Sequence, residues 1–197
     1  MRYLATALLL LLPACAQPEY PRDAVHLVEV NGGNGSGVMI GKFLMLTAAH
    51  VVGDGKGLTV GPKKLPAKLI AKDEKADIAL LHVAVDCPCV ELADVPPKDA
   101  KVLVIGFPVN NVVPNQIVTL GEVQGFVDNK LQLSAPAVGG NSGGGVFVLQ
   151  NGRWKLAGIL IQVAPWCMGF ACFPVPHLSR AVDTTTMRQF VAKTETM

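Results

Sequence analysis

Three polar residues stand in stretches that are otherwise apolar or rich in glycine: His50 in "LTAAHVV", Asp77 in "EKADIALLHV" and Ser142 in "GGNSGGG". An imidazole can take a proton and return it near neutral pH, which is the work of a general base that later serves as acid. A serine hydroxyl is a poor nucleophile until such a base removes its proton, and the carbonyl it attacks then needs donors for its developing negative charge. Glycines flanking Ser142 let backbone N–H groups turn toward one point without Cβ clashes, so Gly140 and Ser142 are the candidate donors. A carboxylate such as Asp77 needs a partner once it is covered. Each residue also has a plain structural reading: a core histidine bonded to a carbonyl, a strand-start aspartate facing water, and a mobile Gly-Ser linker.

The three together are more specific than any one. Asp77 follows His50 by 27 residues and Ser142 follows Asp77 by 65, so base and acid fall in the first half of the chain and the serine in the second. A site built from them has to form where two halves meet.

The elements that would position them are strands. Half of the 197 residues are hydrophobic and 16% are charged, enough for one sizeable core or two small cores packed together. Twenty glycines and 14 prolines punctuate short apolar runs. From "AVHLVEV" through "FLMLTAAHVV" and "DIALLHVAV" to "KLAGILIQVA" and "FACFPV", these runs read as about a dozen strands. "VDNK" at Val127 to Lys130 and "QNGR" at Gln150 to Arg153 read as hairpin turns. "ELADVPPKDA" divides the strands into two sets of about six. Helical spacing is confined to the C-terminal "SRAVDTTTMRQFVAK", with Ala181, Met187 and Val191 among its apolar positions. The expectation is an all-β fold of two packed six-stranded antiparallel β-barrels with a short C-terminal helix, divided into residues 18–95 and residues 96–197.

The first 17 residues are read as an export signal. Arg2 precedes an apolar run from Leu4 to Leu12 and then small residues, a pattern too short for a spanning helix. Ala14-Cys15-Ala16 offers a small-x-small cleavage site, whereas Leu12-Pro13-Ala14-Cys15 resembles a bacterial lipobox with Cys15 as the lipidation candidate. Both place the mature chain outside the cytoplasm: in the periplasm, on the outer membrane as a lipoprotein attached through Cys15, or secreted.

Removing or lipidating Cys15 leaves Cys87, Cys89, Cys167 and Cys172. In an oxidising compartment disulfides are the default, and Cys167 and Cys172 are close enough to staple one loop. A ring closed across Pro88 between Cys87 and Cys89 is strained. Four cysteines could also hold zinc, but C-x-C and C-x4-C spacings do not match the usual C-x2-C knuckles, and no metal or cofactor is expected. A net charge of +2 without a long basic run argues against nucleic acid, and Lys63, Lys64 and Lys68 read as a solvated loop. His26 and His82 read as strand residues. Trp166 and Met168 either line a groove or cover the core.

"GSGVMI", "LTAAHVV", "ADIALL" and "GNSGG" resemble the trypsin-like serine proteases over about Val25 to Val175. Within that group, "GNSGG", the "GFP" at Gly106 and "GFACFPVP" are most similar to the catalytic domain of HtrA-type bacterial proteases. The resemblance implies two packed β-barrels cutting protein or peptide substrates, with Ser142 as nucleophile, His50 as general base and then acid, and Asp77 fixing the His50 tautomer. It implies an oxyanion hole from the N–H groups of Gly140 and Ser142, with Asn141 holding the turn between them. A primary specificity pocket would be walled by Pro136, Ala137, the strand around Val163, and Gly169. None of these is charged, so a small or medium apolar side chain before the scissile bond is the expected preference. Asn141 stands where digestive members carry an aspartate, so activation by an ion pair with a new N-terminus is not expected. The sequence ends at Met197, and no PDZ module is expected after it.

Two other readings bear on the motif. Gly140 to Gly144 also satisfies the G-x-S-x-G pattern of α/β-hydrolases, but "GGGVFVLQ" is a poor helix, and His177 precedes Asp183 where that fold needs acid before histidine. A catalytically silent binding protein of the protease fold is the alternative to an active endopeptidase.

Overall fold

The computed structural model describes residues 18–86, 88–108 and 115–195. Two closed six-stranded antiparallel barrels account for almost all of its regular structure. The first comprises β1 (Val25–Val30), β2 (Gly33–Gly41), β3 (Leu44–Thr47), β4 (Thr59–Val60), β5 (Leu65–Asp73) and β6 (Ile78–Val83), hydrogen-bonded in the order β1-β2-β3-β6-β5-β4 and closed by β1 against β4. The second comprises β7 (Lys101–Gly106), β8 (Ile117–Val127), β9 (Lys130–Leu133), β10 (Gly145–Gln150), β11 (Arg153–Met168) and β12 (Ala171–Asp183), in the order β10-β11-β12-β9-β8-β7. The expected fold class is therefore observed. Closure leaves neither sheet with an open edge along its whole length, which β-rich chains otherwise have to protect.

The two expected hairpin turns form for the reason the sequence suggested. Asp128 and Asn129 have φ of 51° and 57°, and Asn151 and Gly152 have φ of 53° and 74°. Positive φ at both central residues is the type I′ geometry that matches strand twist, and Asn, Asp and Gly tolerate it best.

Two local expectations need correction. The C-terminal helix α2 (Thr184–Glu195) begins later than the spacing suggested, because Ser179 to Val182 pair with Leu133 to Lys130 of β9 as the last part of β12. Ala181 is thus a buried strand residue, and the helix starts where Asp183 Oδ1 accepts the Thr186 N–H at 2.9 Å. "LTAAHVV" likewise is not one strand: β3 stops at Thr47, and Ala49–Val52 form a single helical turn, α1. With Ala49, Val51 and Val52 buried, that turn leaves His50 on its exposed side.

The interior forms two apolar clusters. One fills the second barrel around Val104, Val123, Leu131, Leu133 and Val146. The other runs from inside the first barrel (Val38, Met45, Leu46, Leu81) through Ile105, Phe147, Leu156 and Ile159 of the second to Met187 on α2. A continuous apolar seam fixes the barrels against each other. Residues 88–100 cross between them: Leu156 N–H donates to the Glu91 carbonyl and Ala93 N–H to the Leu156 carbonyl, both at 2.8 Å. Arg188 of α2 clamps the same segment through the Leu92 and Ala93 carbonyls.

Candidate active site

His50 and Asp77 are brought together at the rim of the first barrel. The His50 ring Nδ1 lies 2.8 Å from Asp77 Oδ2 and 3.0 Å from Oδ1, and the His50 backbone N–H donates to Oδ1 at 3.0 Å. An ionised carboxylate can only accept, so Nδ1 carries the proton and Nε2 is left with a lone pair. Asp77 reaches this position from the last residue of the turn after β5, with φ of 61°. That left-handed conformation costs an aspartate less than most residues, and the turn is braced by Asp73 Oδ1 accepting the Ala76 N–H at 2.9 Å.

Burial alone would raise the Asp77 pKa. The hydrogen bonds from the His50 ring and backbone, together with the His50 and Lys130 charges, outweigh it and hold the carboxyl below its ordinary value. Lys130 comes from β9 of the other barrel, and its ammonium donates to the Ala76 carbonyl next to Asp77.

Ser142 sits, half-buried, in the loop between β9 and β10. Two glycines shape this loop by conformation and by space. Gly140 has φ of 90°, and Asn141 N–H donates to the Val138 carbonyl at 3.1 Å, the pattern of a type II turn with glycine at its third position. Gly143 has φ of 83°, and any Cβ there would run into the Ser36 carbonyl and the Thr47 hydroxyl. The peptide that follows Ser142 is also tied down at both of its polar groups: Gly143 N–H donates to the Leu160 carbonyl at 2.6 Å, and the Ser142 carbonyl accepts the Ser36 N–H at 2.7 Å.

The two halves meet at Gly35 on β2. A Cβ built there would lie 2.6 Å from Val51 Cγ2, the residue after His50, and 3.0 Å from the Ser142 carbonyl oxygen. The helical turn with His50 and the loop with Ser142 thus abut one residue.

The expected pocket residues do not all gather. Thr119 Oγ1 donates to the Pro136 carbonyl at 2.8 Å and Ser179 Oγ to the Ala135 carbonyl at 3.0 Å, which fixes the segment before the serine against β8 and β12. Ala137 is buried there, and Val163 on β11, half-buried, pairs with Ser179. Gly169 instead lies in the turn of the β11–β12 hairpin, up to about 20 Å of extended strand beyond Val163. A Cys167–Cys172 disulfide joins the two strands just below that turn, as the cysteine spacing suggested. Met168 and Phe170 are exposed at the tip, so Met168 does not cover the core. Of Trp166 only the backbone is described, paired with Phe173. His26 and His82 lie on β1 and β6. Cys15 and Cys87 lie outside the described residues, and Cys89 is exposed.

Ser36 and Lys130 are the participants that motif reading missed. Ser36 was in view within "GSGVMI" and Lys130 within "VDNK", but each acts across the barrel interface, which spacing along the chain does not reveal.

Residues 35–159 match the trypsin-like peptidase domain family. The chain belongs to that family. Among solved structures, an inactive form of Rv3671c from M. tuberculosis aligns over 90% of this chain and 89% of its own at 20% identity, with a TM-score of 0.72. A serine endoprotease from Yersinia pestis aligns over 88% of this chain at 26% identity, with a TM-score of 0.73. This trypsin-like chain spans 63% of the Yersinia protein, less than two thirds of its length. No curated protein matches the sequence. The family match agrees with the resemblance of the motifs to trypsin-like serine proteases and, with the Yersinia structure, makes the chain a serine endopeptidase by class.

Proposed function

We propose that this chain is an exported endopeptidase in which Ser142 attacks the scissile carbonyl carbon while His50 Nε2 takes its proton. The observation that carries the reading is the bond between Asp77 and His50 Nδ1, which leaves Nε2 as the base. The negative charge on the former carbonyl oxygen is met by the Gly140 and Ser142 N–H groups. As the C–N bond breaks, His50 returns its proton to the departing amine, leaving Ser142 acylated. Water then enters, gives a proton to His50 and releases the acid, and Ser142 regains its hydrogen.

Substrate binding follows from β11. Beyond Leu160, where the Gly144 carbonyl takes its N–H, the side of β11 away from β12 carries no strand among the described residues, and an extended peptide can pair there. Pro136, Ala137 and Val163 offer no buried carboxylate, which favours a small or medium apolar residue before the cut. Export rests on the first 17 residues, with the periplasm, the outer membrane through a lipid on Cys15, or the medium as destinations.

A peptide library randomised before the cut site tests this reading. Cleavage after Ala, Val or Leu, abolished in Ser142→Ala, is expected; cleavage after Lys or Arg, or cleavage that survives Ser142→Ala, overturns it.

A further inference from the structure

Four hydrogen bonds converge on Ser36, a residue of β2 with 0% exposure. Its backbone N–H donates to the Ser142 carbonyl at 2.7 Å, and its own carbonyl accepts the Thr47 hydroxyl at 2.6 Å. Its Oγ accepts the Phe107 N–H at 2.9 Å and lies 3.0 Å from the Gly140 carbonyl oxygen. The direction of that last bond is forced. A backbone N–H can only donate and a carbonyl can only accept, so the single hydroxyl proton must point at Gly140.

The consequence concerns the peptide between Gly140 and Asn141. Ser36 holds its carbonyl and the Val138 carbonyl holds its N–H at 3.1 Å, so the unit cannot turn over without losing both bonds. Fixing that unit, with Gly140 at φ of 90°, fixes where the Gly140 N–H points. Ser36 thereby grips both residues whose N–H groups are assigned to the oxyanion, Gly140 through its hydroxyl and Ser142 through its backbone. It does so from the barrel that carries His50 and Asp77.

We infer that Ser36 is a positioning residue for the oxyanion donors, a hydroxyl lent by the first barrel to orient the catalytic loop of the second. This rests on the reading of Ser142 as nucleophile. Ser36→Ala removes the hydroxyl and keeps the backbone bond to Ser142, so base and nucleophile stay in register while the Gly140 peptide is freed. Its effect belongs in the transition state, where oxyanion donors act.

The test compares the protein with its Ser36→Ala variant in phosphonylation by a fluorophosphonate, where the serine oxygen displaces fluoride from phosphorus, in peptide hydrolysis and in inhibition by a peptide boronate. Expected are a roughly 10- to 100-fold fall in phosphonylation rate and kcat, a KM changed by less than about threefold, and boronate affinity falling in parallel with kcat/KM. Thr184→Val supplies the control, because it deletes another buried hydroxyl bond, to the Ala157 carbonyl at 3.0 Å, away from the site. If Ser36→Ala does not fold, Ser36→Cys, close in shape with a weak S–H donor, is read by the same criteria. Phosphonylation within twofold of wild type, a loss confined to KM, or an equal loss in Thr184→Val overturns the inference. A wild-type protein that is not phosphonylated at Ser142 removes the nucleophile reading itself, and this inference with it.

Discussion

In the first barrel two N–H groups of His50 converge on the Asp77 carboxylate, the ring Nδ1–H at 2.8 Å from Oδ2 and 3.0 Å from Oδ1 and the backbone N–H at 3.0 Å from Oδ1, so the pair is held by contacts between the two residues themselves. In the second barrel Ser142 depends on its surroundings. Its loop is fixed through main-chain bonds to Ser36, Leu160 and Val138 and through two glycines with positive φ. The first arrangement tolerates a short, ordinary helical turn. The second requires a backbone that other residues cannot adopt, which explains why the glycines crowd around the serine and not around the histidine.

The sharpest way to break this contrast is to remove the base. His50→Ala should lower kcat/KM for peptide hydrolysis by about 10⁴- to 10⁶-fold while leaving the thermal midpoint within a few degrees, since the ring is exposed. Next in size, Asp77→Asn keeps the shape but turns one carboxylate oxygen into an NH2 donor, which can bond Nδ1 and favour the wrong tautomer, and should cost about 10³- to 10⁴-fold at neutral pH.

Gly143→Ala probes the other barrel. A methyl group would meet the Ser36 carbonyl at a φ of 83°, so a loss of at least about 3 kcal/mol in unfolding free energy is expected, with loss of acylation. Urea unfolding measures it, and a wild-type midpoint would show that the loop is not constrained as described.

The smallest effect belongs to Lys130→Met, which removes a positive charge that helps depress the Asp77 pKa. A carboxylate held below its ordinary value of 3.8 contributes stability above that value and loses it as pH falls through the lower folded value. Raising the folded value by removing Lys130 shrinks that contribution. The variant should therefore be less stable than wild type near pH 7, with the two curves converging as pH falls below 3.8, and its kcat/KM should fall only a few-fold. Thermal midpoints measured across that range decide the matter.

The division between the barrels also explains what the sequence made legible. Strand alternation and the Asp-Asn and Asn-Gly turns are local, and they led to twelve strands in two barrels. His50, Asp77 and Ser142 could be singled out because each interrupts an apolar or glycine-rich pattern. The start of α2 was misread because Ser179 to Val182 satisfy helical spacing, yet they have a waiting partner in β9 that wins. The helical turn at His50 was hidden for a related reason, since Ala, Val and Val suit a strand as well as one buried turn. The place of Gly169 in the β11–β12 turn follows from cross-strand pairing that no single stretch displays. Ser36 and Lys130 carry no pattern of their own.

The central claim, that the two barrels contribute the halves of one working site, is tested most directly by single-turnover phosphonylation with a fluorophosphonate in wild type, His50→Ala and Ser142→Ala. The account predicts fast labelling that maps to Ser142, is absent in Ser142→Ala, and slows by about 10³-fold or more in His50→Ala. Labelling that proceeds at the wild-type rate without His50, or no labelling of the folded wild-type protein, would contradict it.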